Sequence, residues 1–451
     1  MKKNLRNLLS LLLALLLTIS LASCNDPANT TESNACTEHQ WINANCTHPK
    51  TCLSCGETEG SYREGAHAYT QNGETYTCVF CGDVQTTSGE CTHVAGADTC
   101  PLCGRTGLNI IKNVIYIIGD GMGLEHIAAG QMAYNKDYRF DEWQFASVNT
   151  DSLTSGGRNQ SELTDSAAAG TALATGTVTL NEYVGKDQNG NDLTTILDYA
   201  KSRGMKTGLI TTDKLYGATP GAFSAHSLDR DNYMEILESQ IDSGIDLICG
   251  STTTSYALET SVITEKGYQH CTTFSAMKYS KASKLYCTLK LEGSNASDVT
   301  LADATVASLN FLDNENGFAL VIEQAHTDKA SHNNDALGVV YAVNSLNNTV
   351  EAILEWLGDR TDTAIVLTSD HETGDFSASS SNTLPYSTSV GDGYPTFYYR
   401  FNSGSHTKSN VGLFIYGADV NIKAISYFNT EFNVKNSDIF TIVKMLIQNR
   451  R

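Results

Sequence analysis

The spacing of hydrophobic positions changes character twice along this chain. It opens with MKKNLRNLLSLLLALLLTISLASC, a basic start (Lys2, Lys3, Arg6) followed by an apolar stretch from Leu8 to Ala22 interrupted only by Ser and Thr. From Cys36 to Cys103 aliphatic residues almost vanish, and Cys and His take their place. Beyond Leu108 the runs NVIYIIG, KTGLITT, GIDLICG, GFALVIE, TAIVLTSD and VGLFIYG have strand length and are rich in Val and Ile, as strands buried on both faces are. Between them TTILDYAKSRG, NYMEILESQIDSG and DALGVVYAVNSLNNTVEAILEWLG read as helices, each ending on a glycine that suits a helix C-terminus. This alternation predicts an α/β catalytic domain over 108–451, a mostly parallel central sheet flanked by helices.

A charged start ahead of a short apolar core reads as an export signal, residues 1–23. At about 1.5 Å per residue its apolar part falls short of the ~30 Å hydrocarbon layer, so a permanent membrane span is the weaker reading. Its end, Leu21-Ala22-Ser23-Cys24, resembles the bacterial lipoprotein signal, in which the cysteine is lipidated and becomes the mature N-terminus. That resemblance implies an exported bacterial protein held on a membrane surface through Cys24. An ordinary cleavage site beside a chance cysteine is the alternative. Polar residues 24–34 then form a tether.

In the Cys/His-rich module, 35–105, CTHPKTCLSC gathers Cys46, His48, Cys52 and Cys55, and CTHVAGADTCPLC repeats the theme with Cys91, His93, Cys100 and Cys103. Cys78 and Cys81 add another Cys-x-x-Cys, with His39 and His67 nearby. Each such turn can aim two thiolates at one ion, so a zinc-ribbon-like unit holding structural zinc is the preferred reading. A disulfide framework is the alternative, because exported chains meet oxidising conditions and core-poor units need staples.

A chain of 451 residues that is 41% hydrophobic and 18% charged is not disordered. Its formal net charge of −20 repels nucleic acid, which is excluded as a partner. Past Cys103 only Cys249, Cys271 and Cys287 remain; Cys271 and Cys287 are spaced to pair across a short loop, and Cys249 reads as core.

Ligands of doubly wound sheets sit beyond the carboxyl ends of the strands. There Asp120 follows NVIYIIG, Glu323 follows FALVI, Asp370 and His371 follow AIVLTS, and Asp328 and His332 lie just past Glu323. Any one of these acids alone would be read as a helix cap or a solvated loop residue; together they describe a metal site. Asp328 and His332, four apart, project from one face of a helical turn and can share an ion. Asp and His suit zinc, whereas Glu with a Thr hydroxyl suits magnesium. In ELTDSAAAGTALATG, Ser166 opens a run of small residues. Either the run only allows tight helix packing, with Asp165 or Ser166 as N-cap, or Ser166 is a nucleophile at a helix N-terminus that favours phosphate. YGATPGAFSAHSLDR supplies Thr219 and Arg230, whose planar fork can pair with two phosphate oxygens.

GDGMG (119–123), TDSAAAGTA (164–172), ATP (218–220), Asp328 with His332, SDHETGDF (369–376) and HT (406–407) resemble alkaline phosphatase, in that family's order. The resemblance implies one zinc held by Asp328, His332 and His406, and a second held by Asp120, Asp370, His371 and the Ser166 hydroxyl. It implies magnesium at Asp120, Thr219 and Glu323, a phosphate clamp at Arg230, and Lys329 near the phosphate. Gly217 departs from the pattern: the family usually carries Asp or His there, so the magnesium site lacks that support. The implied reaction is hydrolysis of small phosphate monoesters through a phosphoserine at Ser166, with activity rising into alkaline pH. Homodimers are common in the family. A related phosphodiesterase or sulfatase, and a surface zinc-binding protein with an inactive hydrolase, are the competing functions; no Cys-x-Pro-x-Arg sulfatase signature is present.

Overall fold

Side chains of the strand Asn113–Gly119 (β1) alternate between two cores: Val114, Tyr116 and Ile118 join one, Ile115 and Ile117 the other. A strand buried on both faces needs cover on both sides. The computed structural model supplies that cover, and it describes residues 111–154, 160–292, 298–417 and 434–448 together with short strands between Trp41 and Thr86. Those short strands form two three-stranded antiparallel sheets. Cys24, Cys46, His48, Cys55, Cys81, Cys91, His93, Cys100 and Cys103 lie outside the described residues, and the side chains of Cys52 and Cys78 do too.

The main sheet has ten strands. After β1 come β2 (Gln144–Asn149), β3 (Lys206–Lys214), β4 (Leu247–Ser251), β5 (Gln269–Cys271), β6 (Leu285–Thr288), β7 (Phe318–Gln324), β8 (Thr363–Thr368), β9 (Val411–Tyr416) and β10 (Val434–Lys435). Their order across the sheet is β5-β6-β4-β3-β7-β1-β8-β9-β2-β10. Every pairing is parallel except the two made by β9. The mostly parallel α/β architecture read from the sequence is therefore present.

On one face lie α2 (Ser166–Thr175), contributing Leu173 and Ala174, and α7 (Asn436–Gln448), contributing Ile439, Ile442 and Val443. On the other lie α4 (Leu301–Leu312) and α6 (Ala336–Leu357), whose Val339, Val343, Leu346, Val350 and Ile353 form an i, i+3/i+4 stripe. Burying each such side chain is worth about 2 kcal/mol. The helices α1 (Leu124–Tyr134), α3 (Ala218–Ser224) and α5 (His326–His332) start close behind strand ends. Among the described residues no helix is long and apolar enough to cross a membrane.

Strand β9 looks like its neighbours in sequence and is the antiparallel member that a mostly parallel sheet allows. One expectation is corrected. Cys271 and Cys287 do not bridge a loop: the residues between them include the helix Phe274–Lys278, which returns the chain in the same direction. The two cysteines therefore stand in register on adjacent parallel strands as free, buried thiols beside Cys249.

Register brings the chemistry together. Thr211 pairs with Glu323, Glu323 with Ile118 and Ile118 with Thr368, one row across β3, β7, β1 and β8. Asp213, Asp120 and Asp370 each lie two residues past that row, at the carboxyl edge of the sheet.

Candidate metal centre and nucleophile

Ser166 is the first residue of α2, and Asp165 is its N-cap, Oδ1 accepting from Ala168 N at 2.9 Å. The packing that the small-residue run allows is present. Gly170 allows α3 to close on α2, because a Cβ there would meet Ala222 Cβ at 3.1 Å and Thr219 Cα at 3.5 Å. The hydroxyl of Ser166, 5% exposed, lies 3.1 Å from His371 Nε2. The other carboxylate oxygen of Asp165 accepts from Glu182 N at 3.0 Å and from Arg230 Nη1 at 3.1 Å. Arg230 is thus tethered beside the N-terminus that carries the serine.

One ligand triangle consists of Asp328 Oδ1, His332 Nε2 and His406 Nε2. The sides are 3.3 Å from Asp328 to His332, 3.5 Å from Asp328 to His406 and 3.2 Å between the imidazoles. Backbone carbonyls orient both rings, since His332 Nδ1 donates to Gly404 O at 2.7 Å and His406 Nδ1 to Thr164 O at 2.9 Å, turning each Nε2 inward towards Asp328. A second group lies around His371 Nε2, with Asp370 Oδ2 at 3.2 Å and Asp120 Oδ1 at 3.6 Å. The His371 and His406 rings stack with centroids 3.6 Å apart, so the two groups adjoin. Lys329 extends from α5 to an ion pair with Asp213.

Backbone geometry keeps this cluster tight. Gly121 has φ +71°, and a Cβ there would lie 2.6 Å from Asp328 Cα, so only glycine lets the β1–α1 turn approach α5. The amide of Gly121 donates to Asp370 Oδ1 at 3.1 Å. Thr373 Oγ1 donates to Asp328 Oδ1 at 2.7 Å.

Such crowding shows in the electrostatics. Burial, then the charges of Asp370, Asp328 and Glu323, push the Asp120 carboxyl well up. Burial raises Asp370 to about 7 and Glu323 to about 8, the latter helped by the charge of Asp213. Burial would raise Asp328 as well, but hydrogen bonds from His332 and His406 outweigh it and hold that carboxyl below the usual range. His332 rises to about 9 through the same contact, whereas burial drives His371 down. Among the described residues, Asp120 Oδ1, Asp370 Oδ2 and Thr219 Oγ1 are buried without a hydrogen-bond partner. Orphaned buried acceptors amid like charges fit divalent cations, and Asp/His sets beside a Glu/Thr set offer both softer and harder positions.

The fold brings the candidate ligands Asp120, Asp328, His332, Asp370, His371 and His406 together; the residues that orient them are not legible in the sequence. The carbonyls of Thr164 and Gly404 and the hydroxyls of Thr211 and Thr373 carry no sequence signal. Asp213 carries only a weak one, an acid at a strand end.

In this mostly parallel α/β fold, carboxylates, imidazoles and a serine hydroxyl converge at the strands' carboxyl edge as a candidate metal centre. The family model for alkaline phosphatase matches residues 111–262 and 284–439, and the chain belongs to that family. Between the two matched stretches, residues 263–283 lie outside the match. Alkaline phosphatase 4 of Bacillus subtilis is 32% identical over 295 residues, 59% of this chain and 62% of that protein. The chain thus spans less than two thirds of that relative's length. The alkaline phosphatase of Escherichia coli is 26% identical, covering 64% of this chain and 76% of that one. In fold, the alkaline phosphatase from the Antarctic bacterium TAB5 superposes with a TM-score of 0.63 at 22% identity, over 76% of this chain and 99% of that chain.

Proposed function

We propose that this chain hydrolyses phosphate monoesters through a covalent phosphoserine at Ser166. The carrying observation is the Ser166 hydroxyl at the N-terminus of α2, against His371 Nε2, with Arg230 tied to the same N-terminus by Asp165. Asp328, His332 and His406 would hold one zinc, Asp120, Asp370, His371 and Ser166 a second, and Asp120, Thr219 and Glu323 a magnesium. When bound, these ions supply the positive charge that lowers the serine pKa and stabilises the entering and leaving oxygens. A mutant of the TAB5 enzyme carries Mg in its M3 site.

The residues themselves do the following. Ser166 gives up its hydroxyl proton to solvent as Oγ attacks phosphorus in line, the ester P–O bond breaks, and the departing alkoxide takes a proton from solvent. Arg230 and the free amides of α2 balance charge on the equatorial oxygens. Water then attacks the phosphoserine from the opposite side, returning the Ser166 hydroxyl and releasing phosphate. A fork aimed at equatorial oxygens favours a dianionic monoester over a diester or a sulfate. Lys329, paired with Asp213, lies at the rim of the same site and adds positive charge towards the substrate.

Turnover of p-nitrophenyl phosphate, bis-p-nitrophenyl phosphate and p-nitrophenyl sulfate, with and without chelator, tests the reading. Monoester turnover abolished by chelator and restored by zinc with magnesium is expected; preference for the diester or sulfate overturns it. Cys24 is proposed as the lipid anchor of an exported enzyme, so Cys24→Ser should move the protein to the soluble fraction. Equal membrane association of both forms contradicts it. Structural zinc in the Cys/His-rich module is likewise proposed.

A further inference from the structure

Gly217, at the N-cap of α3, offers the magnesium ligands no side chain, yet the space beside it is filled. A Cβ built at Gly217 would lie 3.1 Å from Asp213 Oδ2 and 3.0 Å from Lys214 O. The Asp213 carboxylate, reaching in from β3, stands where a side chain at 217 would go. We infer that Asp213 is the positioning residue of the Thr219–Glu323 ion site, taking over from β3 the part that Gly217 cannot play; this rests on the metal assignment proposed above.

Three observations converge on it. Asp213 is wired to the ligand Glu323: its backbone N donates to Thr211 Oγ1 at 2.8 Å, and that hydroxyl donates to Glu323 Oε2. Its carboxylate is fixed by Lys329, the residue after the ligand Asp328, so both sides of the metal cluster hold it. The Thr219 hydroxyl, in a residue 2% exposed, has no hydrogen-bond partner among the described residues and stays open for an ion. Magnesium dehydrates reluctantly and keeps several waters, so a carboxylate that does not itself ligate serves by accepting hydrogen bonds from that water shell. Adding a second carboxylate at 217 would crowd the first, whereas moving the carboxylate from 213 to 217 would preserve the function.

Magnesium chloride titrated into the zinc-loaded full chain, followed by calorimetry and by metal content after gel filtration, tests this without reference to turnover. Asp213→Asn should weaken magnesium binding by about ten- to a hundredfold, the usual worth of an outer-shell partner, and leave the zinc content unchanged. Gly217→Asp alone should not tighten magnesium. The double variant Asp213→Ala with Gly217→Asp should recover most of the lost affinity. Unchanged magnesium affinity in Asp213→Asn, or a double variant no better than Asp213→Ala, overturns the inference while leaving the phosphatase reading intact. A wild-type chain that binds no magnesium and hydrolyses no phosphate ester overturns both.

Discussion

Asp165 does two separable jobs, and substituting it in two ways pulls them apart. Its Oδ1 caps α2 through Ala168 N at 2.9 Å, while its Oδ2 accepts from Glu182 N at 3.0 Å and holds Arg230 Nη1 at 3.1 Å. Asp165→Ala removes a helix cap worth about 1 kcal/mol and strands a further amide at about 1 kcal/mol, so the domain should lose on the order of 2 kcal/mol. Asp165→Ser keeps a capping oxygen and should lose about half of that. Both variants free the Arg230 side chain, which must then be ordered when phosphate binds. Immobilising one long side chain costs about 0.5–1.5 kcal/mol, so the inhibition constant for inorganic phosphate should rise roughly two- to tenfold in both. Thermal or urea unfolding measures the first effect, and product inhibition of aryl phosphate hydrolysis the second. If Asp165→Ser binds phosphate as tightly as wild type, the tether does not orient Arg230 and the clamp assignment fails.

Two further outcomes follow from the buried groups. His126 accepts from Gly123 N at Nδ1 and donates to Ser331 Oγ from Nε2, and burial lowers its pKa to about 4, so it stays neutral in the fold. The unfolded chain protonates it first, at about 6.5; its contribution is intact above that pH and fades as pH falls towards 4, by about 3 kcal/mol in all. Denaturation of chelated protein between pH 7.5 and 4.5 should therefore show a shallower acid decline in His126→Gln, and parallel curves would refute the assignment. Gly121→Ala combines the left-handed penalty of about 1–2 kcal/mol with a collision against the Asp328 backbone, so it should destabilise by on the order of 3 kcal/mol and cut zinc content. Wild-type zinc stoichiometry in that variant would show that the β1–α1 turn does not set the ligand spacing.

Much of the candidate site was legible because chain order and strand polarity put it there. Asp120 and Asp370 each end an apolar run that only a buried parallel strand explains, and Asp328 and His332 share a face of α5 through their spacing. The contacts that make a site of them were not legible. Ser166 and His371 are 205 residues apart, and their approach depends on where the chain after β2 sets α2 down relative to the end of β8, which hydrophobic pattern does not encode. The same limit hid the direction of β9, whose alternation suits either polarity. Strands β5, β6 and β10 are too short, and too rich in Cys, His and Lys, to stand out. Asp213 is not legible because Lys329 reaches it from α5 and Glu323 is linked to it only through Thr211; in sequence it is merely an acid at a strand end. Gly217 was noticed as a gap, and only the fold showed what fills it.

Acid quenching of the metal-loaded chain with an isotopically labelled phosphate ester, followed by peptide mapping, tests the central claim most directly. The account predicts one labelled, acid-stable peptide, SELTDSAAAGTALATG, carrying the phosphate on Ser166, and no label in Ser166→Ala. Phosphate on any other residue, or full turnover by Ser166→Ala, would contradict it.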